Sequence, residues 1–208
     1  LDFYRTTTIF KSMRKYRYNI LIGIVLLMAI FQAPLIYYYT SGLTSLFFIP
    51  YILIGAALTF GLTFVLMKKK LITGIQKAGL ISTIVIGSLS LFFGHILIEK
   101  IDWNLRKSTR NKIVALVKTN QLQPNSSYNK NICKLKRWNI PPISNGGNEI
   151  VIYKTEDGKF TIRFYIDRGF LDHYSAFTYT DNPADIKMFK EKTKTYKKID
   201  TNWYRESF

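Results

Sequence analysis

NILIGIVLLMAIFQAPLIYYY, residues 19–39, decides how the rest of the chain must be read. It carries no charge. An α-helix rises 1.5 Å per residue and the hydrocarbon core of a bilayer is about 30 Å thick, so roughly 20 apolar residues suffice to cross it. Two more stretches meet the same criterion: residues 43–67, also uncharged, and residues 78–98, bounded by Lys77 before and by Glu99 and Lys100 after. Three uncharged runs of this length exceed any core that a 208-residue soluble chain builds, so lipid is their expected solvent. The first run is too long for a signal-peptide core and ends in Pro-Leu-Ile-Tyr-Tyr-Tyr without a small-x-small cleavage site, so it is read as an anchor despite Arg14, Lys15 and Arg17 ahead of it. The chain begins on Leu1 rather than Met, which leaves room for residues ahead of it.

The short flanks set an expected orientation. Arg5, Lys11, Arg14, Lys15 and Arg17 precede the first span, and Lys68, Lys69, Lys70 and Lys77 lie between the second and third. Thr40-Ser41-Gly42, between the first and second, is uncharged. Short cationic loops stay in the cytoplasm, so residues 1–18 and the second loop are placed there and everything beyond residue 98 on the far side. Arg106, Lys107, Arg110 and Lys112 oppose this placement and are outnumbered. Tyr16 and Tyr18 fall at the expected inner interface, and Tyr37, Tyr38, Tyr39 and Trp103 at the outer one, where amphipathic rings prefer to sit.

Within the third span Gly79, Thr83, Gly87, Ser90 and Gly94 recur at intervals of three or four and so share one helix face. Small side chains let helix backbones approach in lipid, so this ridge is expected to pack, against this chain or against another membrane protein. Gln32 and His95 are the intramembrane polar residues of note, at matching depths with Tyr51 nearby. Such groups usually face the bundle and find a partner; a structural hydrogen bond is the simpler use, a proton or ligand path the sharper one.

The second half is of a different kind. Residues 101–208 hold 20 Lys and Arg against 11 Asp and Glu. Residues 99–122 read as a helical stalk continuing the third span, with Arg106, Lys107, Arg110 and Lys118 among its polar positions. Residues 123–148, with Pro124, Pro141-Pro142 and Asn145-Gly146-Gly147, read as a linker. From residue 149 to 208 the period falls to two. Residues 150–154 and 159–166 flank Thr155-Glu156-Asp157-Gly158 as a hairpin, in which Phe160, Ile162, Phe164 and Ile166 form a buried face and Thr161, Arg163 and Tyr165 a wet one. Residues 174–180 supply a third strand, Asp181 or Asn182 caps a helix from Pro183 to about Lys192, and residues 195–199 and 202–207 look extended. The expected fold is therefore three transmembrane helices plus a small α+β domain with an antiparallel sheet.

No catalytic, metal or cofactor signature emerges. Asp167, Asp172, His173 and Ser175 crowd together, but no nucleophile elbow or oxyanion hole accompanies them. A basic sheet with aromatics could stack bases, yet no nucleic-acid-binding motif is present. The single cysteine, Cys133, excludes an internal disulfide and sits in no activating surroundings. The reading is a non-enzymatic multi-pass protein of a bacterial cell membrane, in contact with lipid. Its extracytoplasmic domain holds another envelope protein, as an immunity protein or as an accessory subunit, with Arg163, Tyr165, Asp172 and His173 as the candidate surface. A transporter or channel subunit using Gln32 and His95 is the alternative.

Overall fold

A computed structural model describes residues 2–69, 72–135, 140–169 and 173–208, with side chains from residue 16 onward. Lys70 and Asp172 lie outside the described residues. The chain divides into two compact units, residues 1–34 with 47–96 and residues 35–46 with 97–208.

The first unit is helical. It takes in α1 (Asp2–Tyr39) up to Pro34, α2 (Ile49–Lys68) and the first part of α3 (Gly74–Lys118). A 3-10 turn over Gly42–Phe48 precedes α2 and extends its apolar stretch. Three helices are thus long and apolar enough to cross a membrane. Their outward faces carry Phe31, Phe60, Phe64 and Phe92, all more than half exposed, where a water-soluble helix would place polar groups. Ile22, Val25, Leu62, Leu66 and Leu80 form the small buried core of this unit.

The second unit is a six-stranded antiparallel sheet in the order β1-β2-β3-β4-β6-β5, with β1 at Ile132–Lys134, β2 at Glu149–Lys154, β3 at Phe160–Arg168, β4 at Tyr174–Thr180, β5 at Tyr196–Asp200 and β6 at Trp203–Ser207. α4 (Pro183–Glu191) joins β4 to β5; the Asn182 side chain accepts from the Ala184 N–H at its start and Pro183 occupies the first turn, where a missing N–H costs nothing. The α3 segment beyond residue 97 packs its Trp103, Ile113, Val114 and Val117 on one sheet face, against Ile150, Ile162, Phe164, Phe177 and Trp203.

Three expectations change. Residues 123–148 are not merely a linker: they contain β1, and Ile143, Ser144 and Asn145 are among the most buried residues of the unit. The second face of β3 is not wet, since Thr161 is buried and Arg163 and Tyr165 are half-buried. Arg110, expected on the polar side of a stalk, is 2% exposed. The first two departures follow from partners distant in sequence, and the third from Asp102 two turns back on the same helix.

Candidate functional site

In the helical unit the small-residue ridge faces α1. A Cβ on Gly79 would stand 2.7 Å from Ile22 Cγ2, and one on Gly94 would stand 2.6 Å from Ala33 Cβ, closer than carbon atoms approach. Gly87 is less tight, its built Cβ lying 3.7 Å from Ala29 Cβ. Thr83 is buried and donates to the Gly79 carbonyl, while Ser90 Oγ is buried and lacks a hydrogen-bond partner among the described residues.

Gln32 and His95 differ in burial, Gln32 being 7% exposed and buried, His95 exposed. Gln32 Nε2 donates to the Gly87 carbonyl at 3.2 Å, two turns before His95, whose side chain is on the exposed surface of α3. Gln32 instead joins Tyr51, Thr59, Ser88 and apolar neighbours around an open cavity of about 240 Å³. Tyr51 spends its hydroxyl on the Met28 carbonyl at 2.6 Å.

Among the described residues of the sheet unit two acids are buried and saturated. Asp102, on α3 and 1% exposed, accepts from Tyr38 at 2.9 Å, Tyr37 at 3.4 Å and Arg106 at 3.0 Å, and pairs with Arg110. Arg106 also donates to the carbonyls of Pro141 and Pro142, both at 2.7 Å, and Asn145 donates to those of Tyr37 and Ile166. The Arg110 guanidinium lies 4.5 Å from the centre of the Phe177 ring. Asp102, Arg106 and Arg110 recur every four residues, so one face of one helix turns two cations on a single acid. That spacing was the available signal; reading the arginines simply as polar positions missed it.

The second acid is Glu206 on β6, fully buried on the other sheet face. It accepts from Arg163 Nε at 2.9 Å, Tyr174 Oη at 2.7 Å and Thr178 Oγ1 at 2.7 Å. Burial alone would lower the Arg163 guanidinium, but Glu206 reverses this and holds it above its ordinary value. Burial, reinforced by the bond to Glu206, raises the Tyr174 hydroxyl; burial and the same carboxylate push Tyr196 up to about 12. α4 covers part of this face, stacking Phe189 on Tyr196 with ring centres 3.9 Å apart and placing Asp185 on Thr161.

The candidate surface residues thus separate. Arg163 is half structural, with 21% of its side chain exposed. Its guanidinium lies between the rings of Tyr153 at 5.3 Å and Tyr174 at 5.6 Å, and Arg168 covers Tyr165 at 4.2 Å. Arg168 also bridges to Glu149, which Tyr128 bonds at 2.6 Å. His173 is exposed just before β4, and Phe208, also exposed, stacks on Tyr174. The part of the face outside α4 is therefore a patch of Tyr and Arg over a buried carboxylate. Sequence reasoning missed Tyr153, Arg168 and Glu206 as its members. Among the described residues no group of three or more metal-ligating side chains forms.

Comparison of the chain with protein-family models, with curated proteins and with solved structures finds no match.

Proposed function

We propose that this chain is a non-enzymatic, multi-pass cell-membrane protein whose sheet domain, on the extracytoplasmic side, holds another envelope protein, as an immunity protein or an accessory subunit. The observation that carries the reading is the Tyr153–Arg163–Tyr165–Arg168 patch. Tyr, Arg and Trp are enriched where proteins bind one another, because each presents a large flat surface with a polar edge. Stacking on neighbouring rings and pairing with Glu206 and Glu149 hold both arginines in place before any partner arrives. Both buried acids of the domain are occupied by structural donors, which supports surface recognition over chemistry. The orientation rests on the cationic flanks at Arg17, Lys68, Lys69 and Lys77 against the uncharged Thr40-Ser41-Gly42.

The test is site-specific photocrosslinking in intact cells, with a benzophenone amino acid at Tyr153, at His173 and at the lipid-facing control Phe60. A discrete protein adduct from Tyr153 and His173, absent from Phe60, is expected. No protein adduct from the domain, together with loss of solute movement in Gln32→Leu, would transfer the assignment to a transport subunit.

A further inference from the structure

The sheet has two edges, and they are finished differently. At β1 the outer edge is closed by Asn125: its side chain accepts from the Lys134 N–H at 2.8 Å and donates to the Lys134 carbonyl at 3.2 Å, while its own N–H bonds the Ile132 carbonyl. At β5 nothing comparable stands among the described residues. Ser207 N–H donates to the Thr195 carbonyl at 2.9 Å, which fixes the register. By antiparallel alternation Lys197 then turns its backbone to β6, while the N–H and C=O of Lys198 and the C=O of Tyr196 turn to the open side.

That open edge is lined by charge. Lys187, Lys190, Lys192, Lys194, Lys197 and Lys198 are all exposed, and Glu191 is the one exposed acid among residues 187–198. Among the described residues none of the six lysines forms an ion pair; Asp200, the acid of β5, is taken by Lys107. Lys197 and Lys198 project to opposite faces of the sheet, so both sides of the edge are cationic.

Lysines at a strand edge ordinarily keep a second copy from adding its own edge, since like charges would meet along the whole contact. The same arrangement selects an extended chain of opposite sign. We propose that β5 is a docking edge for an acidic, extended segment of a partner protein. That segment adds as a seventh strand at Lys198 and sets carboxylates against Lys194, Lys197 and Lys198. This rests on the reading of the domain as a protein binder and specifies the chemistry of what is bound. Two observations favour a peptide over other polyanions. The aromatic side chains beside the patch, Phe189, Tyr196 and Tyr204, are buried, and the exposed Phe208 ring near Tyr196 is already stacked on Tyr174, so no run of open rings is offered to successive bases. Among residues 183–200 no large exposed apolar side chain offers an anchor in lipid, whereas outward backbone groups of an open edge suit only another strand.

The experiment uses the full chain in neutral phosphatidylcholine nanodiscs and a fluorescein-labelled 12-residue peptide alternating Glu with Thr and Val, followed by anisotropy. Saturable binding is expected, weakening about tenfold between 50 and 500 mM salt. It should weaken about tenfold or more in Lys194→Glu/Lys197→Glu/Lys198→Glu, whose melting temperature should stay close to the parent because these side chains are exposed and form no hydrogen bond or ion pair among the described residues. A peptide of equal charge with Pro at every third position should bind several-fold more weakly, because it cannot extend the ladder. Equal binding of the Pro peptide, no effect of the triple substitution, or stronger displacement by phosphatidylserine vesicles or oligo-dT than by unlabelled peptide would overturn the proposal. A photocrosslinked partner captured equally by the parent and the triple variant would also overturn it, while leaving recognition by the Tyr–Arg patch intact.

Discussion

Replacing Asp102 with Ala removes the acceptor shared by Arg106, Arg110, Tyr37 and Tyr38. The four donors do not lose equally. Arg106 keeps the Pro141 and Pro142 carbonyls and has 16% of its side chain exposed, so it can take up water. Arg110 is 2% exposed and keeps the Asp102 and Ile143 carbonyls at 3.2 and 3.4 Å and the faces of Phe177 and Trp103, none of which carries a counter-charge. A buried cation left without its counter-charge typically costs about 3–5 kcal/mol, and this term should dominate. For a chain of this size that amounts to a fall of roughly 10 °C in the unfolding midpoint. The check is thermal unfolding in detergent, followed by near-ultraviolet circular dichroism, because Trp103 and Trp203 pack beside the network with ring centres 5.3 Å apart. Asp102→Leu combined with Arg110→Met should recover at least about half of the loss, since well-packed apolar groups replace buried pairs at little cost. A single substitution costing less than about 1 kcal/mol, or a double substitution as costly as the sum of its parts, would refute the argument that charge compensation holds this corner together.

Gly94→Ala should weaken the packing of α3 on α1 by about 1–3 kcal/mol, because its Cβ would meet Ala33 at 2.6 Å, whereas Gly87→Ala, with 3.7 Å available, should be nearly neutral. Resistance to unfolding by SDS compares the two, and equal effects would contradict the ridge contact. Burial would raise the Glu149 carboxyl, but hydrogen bonds from Tyr128 and Arg168 outweigh it and hold the group below its ordinary value of 4.5. A lowered folded-state pKa stabilises above the unfolded value and is lost as pH falls through the folded one, so Glu149→Gln should cost on the order of 1 kcal/mol at neutral pH and flatten the acid limb below pH 4.5. Parallel stability–pH curves for parent and variant would contradict it. Cys133 is fully buried and burial raises its thiol, so it should resist aromatic disulfide reagents until the domain unfolds; reaction at the native plateau would show the β1 region to be open.

The elements legible in the sequence were those whose causes are local. Charge-free length marked the three spans, Thr155–Gly158 marked the β2–β3 turn, and Asn182-Pro183 marked the start of α4. Apart from the Asp102–Arg106–Arg110 spacing, what escaped reading was long-range. Asn145 sits in a run of turn residues, yet its amide bonds the Tyr37 carbonyl, 108 residues away, and so it is buried where composition suggests a linker. Alternation along β3 identified one buried face correctly. The second is closed by Glu206 and α4, which period-two patterning of β3 cannot reveal. Of the candidate surface, Arg163 and Tyr165 do lie on one face, but the neighbours that complete the patch, Tyr153 and Arg168, come from strand pairing and from the far end of β3.

The placement of the loop before α3 and of the sheet domain on opposite sides of a bilayer is best tested by labelling single cysteines in intact cells with a membrane-impermeant maleimide, using Cys133 as a silent background. Glu156, at the exposed tip of the β2–β3 hairpin, and Lys77, exposed at the start of α3, are the positions to compare. Glu156→Cys should label before lysis and Lys77→Cys only after it. Labelling of Lys77→Cys in intact cells with Glu156→Cys protected would contradict the proposed orientation, and labelling of both would contradict a crossing by the third span.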